Sequence, residues 1–175
     1  MDCVLDGKFE TFVSRIQSPA LVVVAERWNK ARGQKRMPSW TDLSSSTPLP
    51  DAERTWAFAY DLKTGGLTGI LAGRRYGKWV NGNFYGGHLK DIHSPANYEE
   101  ARRLLTKVVT TPLAGRTSGR LFTVDGFIVT GERIALPLAE DGQTGDGILG
   151  ASDYTPPPLL GSYKLLYENV VWYGI

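Results

Sequence analysis

Sulfur and imidazole are scarce in this chain: one cysteine, two histidines and two methionines among 175 residues. A lone cysteine, Cys3, excludes an internal disulfide framework and a cysteine-rich zinc site. It suits a reducing compartment. No apolar run reaches the roughly 18 residues that a membrane span needs. Residues Met1–Lys8 lack the basic stretch followed by an apolar run that marks a secretory signal. A cytoplasmic protein with no membrane contact is therefore expected. The net charge is only +2, too small to make nucleic acid the main partner. Catalytic signatures are missing too. There is no Gly-x-Ser-x-Gly elbow. Gly65-Gly66-x-x-Gly69 lacks the Lys-Ser/Thr of a phosphate loop and reads as a turn. Glu99 and Glu100 are helix neighbours that point apart. The chain reads as a binder, not an enzyme.

What is abundant is turn material and apolar residues: 20 glycines, 10 prolines and 42% hydrophobic residues. That balance fits one packed domain with several short strands. Phe9, Phe12, Val13 and Ile16 recur at helical spacing. Ser18-Pro19 restarts a helix as N-cap and first-turn proline. Leu21, Val24, Ala25 and Trp28 give it one apolar stripe, and Gly33 ends it. The cations Arg27, Lys30, Arg32, Lys35 and Arg36 read as a solvated helix end. Residues Arg36–Pro50 are loop-like, because Met37-Pro38-Ser39 and the Ser44–Pro48 run block a helix.

From Thr55 the period drops to two. Trp56, Phe58, Tyr60 and Leu62 alternate with smaller residues, as in a half-buried strand, and Gly65-Gly66 turns it into Leu67–Leu71. A Gly- and aromatic-rich stretch to Ile92 predicts short helical turns. Ser94-Pro95 opens a firm helix that Pro112 stops. Arg120–Val124, Phe127–Thr130, Glu132–Leu138 and Ile148–Tyr154 then read as a meander, with a tight turn at Asp125-Gly126. Pro137 demotes its position to an edge or bulge. The apolar tail Tyr163–Ile175 must pack back on the domain or onto a partner chain. The expected divisions are 1–50 (helical extension and loop), 51–154 (core) and 155–175 (tail).

Two strands, a helical insert and a three-stranded meander, with a set of short motifs, resemble a known family. The motifs are Trp28, Arg32-Gly33, Met37-Pro38-Ser39, Asp42-Leu43, Phe58–Leu62, Gly73-Arg74-Arg75-Tyr76-Gly77, Leu136-Pro137-Leu138 and Ile148-Leu149-Gly150. Together they are similar to the bacterial single-domain PAS family of alphaproteobacterial type (PAS_5-like), over about Pro19 to Tyr154. The resemblance implies an α+β fold: a five-stranded antiparallel sheet with helices on one face, a pocket between them, and an N-terminal helical extension. It implies sensing of a small molecule, or dimerisation and docking, and fold alone does not choose between these.

The pocket candidates are Tyr60, Tyr76, Trp79, Tyr85, His88, Phe122 and Phe127. Tyrosine and tryptophan join an apolar wall to a polar tip, as small-molecule sites require; the plainer reading of such aromatics is core. Arg74 or Arg75 could meet an anionic ligand, although solvent is the default for both. His88 and His93 lie five apart and share no helix face, which disfavours zinc. Either could be a haem ligand, but a surface or hydrogen-bonded histidine is the commoner fate. Cys3 lies ahead of the core, which excludes flavin–thiol photochemistry. No cofactor is identified. The expected function is a small-molecule-sensing or signal-transducing PAS regulatory module without an output domain. The alternative is a ligand-free adaptor, with a regulatory protein or a homodimer held through the N-terminal helix and the C-terminal tail.

Overall fold

The computed structural model describes residues 3–5, 9–45, 48–49, 51–77, 84–155 and 161–175. The helix signals act where the sequence places them. Helix α1 is Phe9–Arg15 and α2 is Pro19–Arg32. The Ser18 side chain accepts a hydrogen bond from the Leu21 amide, and Gly33 closes α2 at a positive φ of 55°, which favours glycine. Leu21, Val24, Ala25 and Trp28 are buried together. At about 1.5–3 kcal/mol per large apolar side chain removed from water, this stripe dominates the docking of α2. Residues 36–50 are not wholly loop. Trp40–Ser44 forms a short helix, α3, because Ser39 and Asp42 cap each other's backbone amides, a capping box.

Strands β1 (Cys3–Leu5), β2 (Thr55–Tyr60) and β3 (Leu67–Ala72) precede the short helices α4 (Arg74–Gly77) and α5 (Leu89–Ile92). The long helix α6 (Pro95–Thr110) leads into β4 (Leu113–Val124), β5 (Phe127–Leu138) and β6 (Gly147–Tyr154). The tail adds β7 (Tyr163–Leu165) and β8 (Val171–Gly174). Strand order is β1-β8-β4-β5-β6-β2-β3, with β7 also on β4. All pairings between named strands are antiparallel except β1 with β8. The curled sheet therefore has eight strands, not five. The extra ones arise because the outer edge of β4 is free beyond β5. It pairs β8 at Leu113–Arg116 and β7 at Phe122–Val124, which removes an exposed strand edge.

Helices cover both faces, not one. On one face, α1, α2 and α3 pack over Ala114, Ile134, Leu136, Leu149, Ala151 and Tyr173. On the other, α5 and α6 pack over Trp56, Phe58, Phe122, Val129, Ala135 and Ile148. Thr55–Phe58 is accordingly buried at every position instead of alternating, and Leu62 lies exposed beyond β2. The first half of β4 extends the predicted strand back to Leu113. Asp125 and Gly126 both have positive φ, 46° and 86°, as a two-residue hairpin turn needs. Pro137 sits where β5 faces Ile148 of β6 while its pairing with β4 has already stopped at Ala135, so it occupies a local edge, and its carbonyl accepts from Trp28 Nε1 at 2.8 Å. The faces proposed for partner docking are largely engaged internally. Trp28, Trp172 and Tyr173 are almost wholly buried.

Candidate functional site

Strand β5 carries consecutive ionisable residues, and strand alternation sends them to opposite faces. Glu132 goes under α1 and α2. It accepts hydrogen bonds from the amides of Gln17 (3.0 Å) and Ser18 (2.7 Å) and from Arg116 Nε (2.6 Å). Arg133 goes to the face of α4 and α6, where it is 5% exposed. Its Nε donates to Ser152 Oγ at 3.2 Å, and its guanidinium lies over the Tyr167 ring at 5.2 Å. Among the described residues its Nη1 finds no hydrogen-bond partner. Among the described residues no carboxylate pairs with it.

Around Arg133 the elements build a small, partly enclosed chamber. Its lining is Tyr76, His93, Phe122, Arg133, Ser152, Tyr154, Tyr163 and Leu165. Three β-strands supply the floor: Phe122 from β4, Arg133 from β5, Ser152 and Tyr154 from β6. Tyr76 enters from α4, held in place because Tyr154 Oη donates to the Arg75 carbonyl at 2.9 Å and Arg75 Nη1 donates to the Tyr154 carbonyl at 3.2 Å. Its ring also stacks on Trp56 at 5.6 Å. Trp56 in turn lies flat over Gly150, where an added Cβ would stand 2.1 Å from the ring. The opposite wall is β7. Buried Asn97, in the first turn of α6, donates to the Tyr163 carbonyl (3.0 Å) and accepts from the Leu165 amide (2.8 Å), so the side chain completes the ladder on that strand's free edge.

His93 closes the ring. Its Nδ1 is 2.7 Å from the Tyr163 hydroxyl and its Nε2 is 3.3 Å from the Tyr76 hydroxyl. Burial, reinforced by the Arg133 charge, lowers its pKa from 6.5 to about 4, so the ring is neutral at pH 7 and donates from one nitrogen while accepting at the other. Burial also pushes the Tyr163 hydroxyl up to about 12 and that of Tyr76 well above its ordinary value. The free space is about 20 Å³, roughly one water molecule. Among the described residues no cluster of metal-ligating side chains occurs, and no helix is long and apolar enough to cross a membrane.

Of the candidates from sequence, Tyr76 and Phe122 meet in this chamber. Trp79 lies outside the described residues. Tyr85 and Phe127 are 75% and 70% exposed; Phe127 stands at the β4–β5 hairpin tip, where the strand runs past the helical layer. Tyr60 is half-buried against the core beside the Gly65 turn. His88 precedes α5 and lines a separate, open cleft of about 230 Å³ with Gly65, Gly66, Lys90, Tyr98 and Arg102. Arg74 pairs with Glu53, while Arg75 is drawn to Glu53 and Asp153, so neither faces the chamber. Four of the five cations of the N-terminal basic cluster are likewise engaged. Arg27 bonds the Leu43 carbonyl, Arg32 covers Phe9 and Trp28, Lys35 pairs with Asp42, and Arg36 bonds the Ile175 carbonyl.

No family model and no curated protein matches this chain. Among solved structures it is similar to one described as VqmA bound to DPO. The identity is 14%, the match covers 58% of this chain and 51% of that one, and the TM-score is 0.41. The chain thus spans about half of that protein's length, and a likeness of this degree carries no inference about fold or ligand here.

The polar members of the chamber other than Tyr76 are hidden in the sequence for separate reasons. Tyr154 and Tyr163 sit at strand ends, and Ser152 is chemically plain. Arg133 left a faint signal. It shares the parity of Val129 and Ala135, so an ionisable residue stands within an apolar face. His93 meets the commoner fate expected of it, hydrogen bonding, but its partners, two tyrosines 17 and 70 residues away, leave no local pattern.

Proposed function

We propose that the protein is a small-molecule-sensing regulatory module of PAS type, whose ligand enters the chamber around Arg133. One observation carries this reading: a buried guanidinium with an unsatisfied Nη1, held beside a cavity ringed by tyrosines and histidine. Removing a charge from water costs several kcal/mol unless partners replace the water, and buried polar atoms without partners are rare enough to need a reason. A binding site awaiting its ligand supplies one. The arrangement of β2, β3, the helical segment and the β4–β6 meander supports the PAS-type assignment, with the added strands as an elaboration.

Binding is favoured over conversion by the acid–base character of the lining. General acid–base catalysis works best with groups that titrate near neutral pH. Here histidine is driven down to about 4 and Tyr163 up to about 12. The chamber must enlarge for any metabolite, which ties occupancy to movement of a wall, as a sensor requires. The test is a thermal-shift screen of a broad metabolite library, neutral and charged, followed by NMR of the hits. A hit should raise Tm and shift resonances of His93 and Tyr163. A library with no hit that does both sinks the sensor reading.

A further inference from the structure

We propose that the chamber selects a monocarboxylate, whose carboxylate takes the unused Nη1 of Arg133. The inference rests on the sensor reading and narrows it to a chemical class. Three features of the lining set that class. The first is charge. Arg133 is buried and, among the described residues, has no carboxylate partner and one unbonded nitrogen, whereas Glu132, the neighbouring charge on the same strand, is met by three donors. One buried cation without a carboxylate partner among the described residues matches one negative charge; a dianion such as hydrogen phosphate would exchange a buried positive charge for a buried negative one. Among the described residues no lysine and no second arginine lines the chamber.

The second is shape. A guanidinium edge and a carboxylate are both planar, and their hydrogen bonds are short and strong. Ser152 and the Tyr167 ring hold the group by Nε and by its face, so its plane is set before a ligand arrives and little side-chain entropy remains to be lost on binding. The third is the remaining wall. Phe122 and Leu165 are apolar and would flank a short aliphatic or aromatic body once a wall moves to enlarge the present space of about 20 Å³; the hydroxyls of Tyr76 and Tyr163 are engaged with His93 and form a polar rim.

The experiment compares acids with their isosteric amides. Affinities of the full chain for acetate, propionate, butyrate and benzoate are measured by calorimetry at pH 7, beside acetamide, propionamide, butyramide and benzamide, with chloride and phosphate as ionic controls. At least one acid should bind ten times more tightly than its amide. At 100 times its Kd it should raise Tm on the order of 5 °C, while chloride and phosphate at equal ionic strength do not. In Arg133→Met the acid-over-amide preference should collapse to about onefold. Should that variant not fold, Arg133→Lys serves instead: a flexible point charge replaces the planar fork, and the preference should fall at least threefold.

Equal binding of acid and amide overturns the carboxylate inference and leaves the sensor reading intact. A preference that persists at full strength in the Arg133 variants also overturns it, because the anion then sits elsewhere. If none of the acids binds while neutral hits from the library do, the inference falls and the sensor reading stands. If neither the acids nor the library yields a ligand, both fall.

Discussion

Glu132 and Arg133 are adjacent on one strand, both 5% exposed and of opposite charge, yet the two faces of the sheet treat them differently. Under α1 and α2, Glu132 receives two backbone amides and an arginine. The junction between those helices is fixed by it, and Ser18 extends the network through Asp153 to Arg54. Under α4 and α6, Arg133 receives a serine oxygen and an aromatic face and keeps a nitrogen unbonded. Burial alone therefore does not mark a functional charge. What separates the two is satisfaction: Glu132 is met by three donors, whereas among the described residues Arg133 keeps one buried nitrogen without a partner.

The comparison breaks most visibly at Glu132. Removing one member of a buried, hydrogen-bonded charge group typically costs about 3–5 kcal/mol. Glu132→Ala strands Arg116 and two helix-end amides, so urea unfolding should show a loss of that order. A loss below about 1 kcal/mol would mean that water replaces the carboxylate, and the N-terminal face would not be the rigid one.

The next effect belongs to the chamber. His93 is neutral in the folded state, its pKa lowered from 6.5 to about 4 by burial and then by Arg133. Between those values the unfolded chain binds the extra proton. The contribution is thus complete above pH 6.5, declines as pH falls, and is gone below about 4. Its size is about 3 kcal/mol. The titratable hydroxyls facing the ring, Tyr76 and Tyr163, are both raised by burial and stay protonated across this window, and Arg133 supplies the positive charge beside it. On the opposite face, burial raises Asp153 but Ser18 and Arg54 outweigh it, leaving its pKa below 3.8; its stability contribution is present above that value and lost only at lower pH. Melting curves from pH 7 to 4 should steepen for the natural protein and flatten for His93→Gln. Parallel curves would show that the ring is not held dry.

Gly150→Ala probes whether the chamber face is soft throughout. The new Cβ would stand 2.1 Å from the Trp56 ring, and such overpacking costs about 1–3 kcal/mol. A variant as stable as the natural protein would mean that Trp56 and the stacked Tyr76 shift freely, and the site would not be preformed.

The same contrast explains what the residues disclosed. Local signals carried well. Ser18-Pro19 and Gly33 bound α2, Ser94-Pro95 opens α6, and Asp125-Gly126 turns the hairpin, because caps and turns are short-range chemistry. Helix α3 was hidden by its own serines, although Ser39-x-x-Asp42 is a capping box. The extent of β4 was obscured by Gly115, Arg116 and Gly119. Sheet size was illegible because β7 and β8 join β4 across long sequence separations. The site was least legible of all. Two covered faces erase the alternation that would have exposed Arg133 as an inward charge, and aromatic character says nothing about direction, so Tyr85 and Phe127 pointed to solvent while Tyr154 and Tyr163 closed the chamber.

The smallest stability change is expected at Arg133 itself, and that asymmetry with Glu132 is the sharpest form of the comparison. Methionine keeps an unbranched stem, packs beneath the Tyr167 ring, and removes both the buried charge and its unsatisfied nitrogen. The loss is one hydrogen bond to Ser152, whose Oγ still accepts from Trp56 Nε1 at 3.1 Å, and one cation–π contact. Those terms and the relief of desolvation are of similar size and opposite sign, so Arg133→Met should unfold within about 1 kcal/mol of the natural protein. A loss comparable with that of Glu132→Ala would place Arg133 among the structural charges, and the unbonded Nη1 would then be the residue of a compromise in packing. Near-equal stability means that this costly cation is retained for something other than the fold.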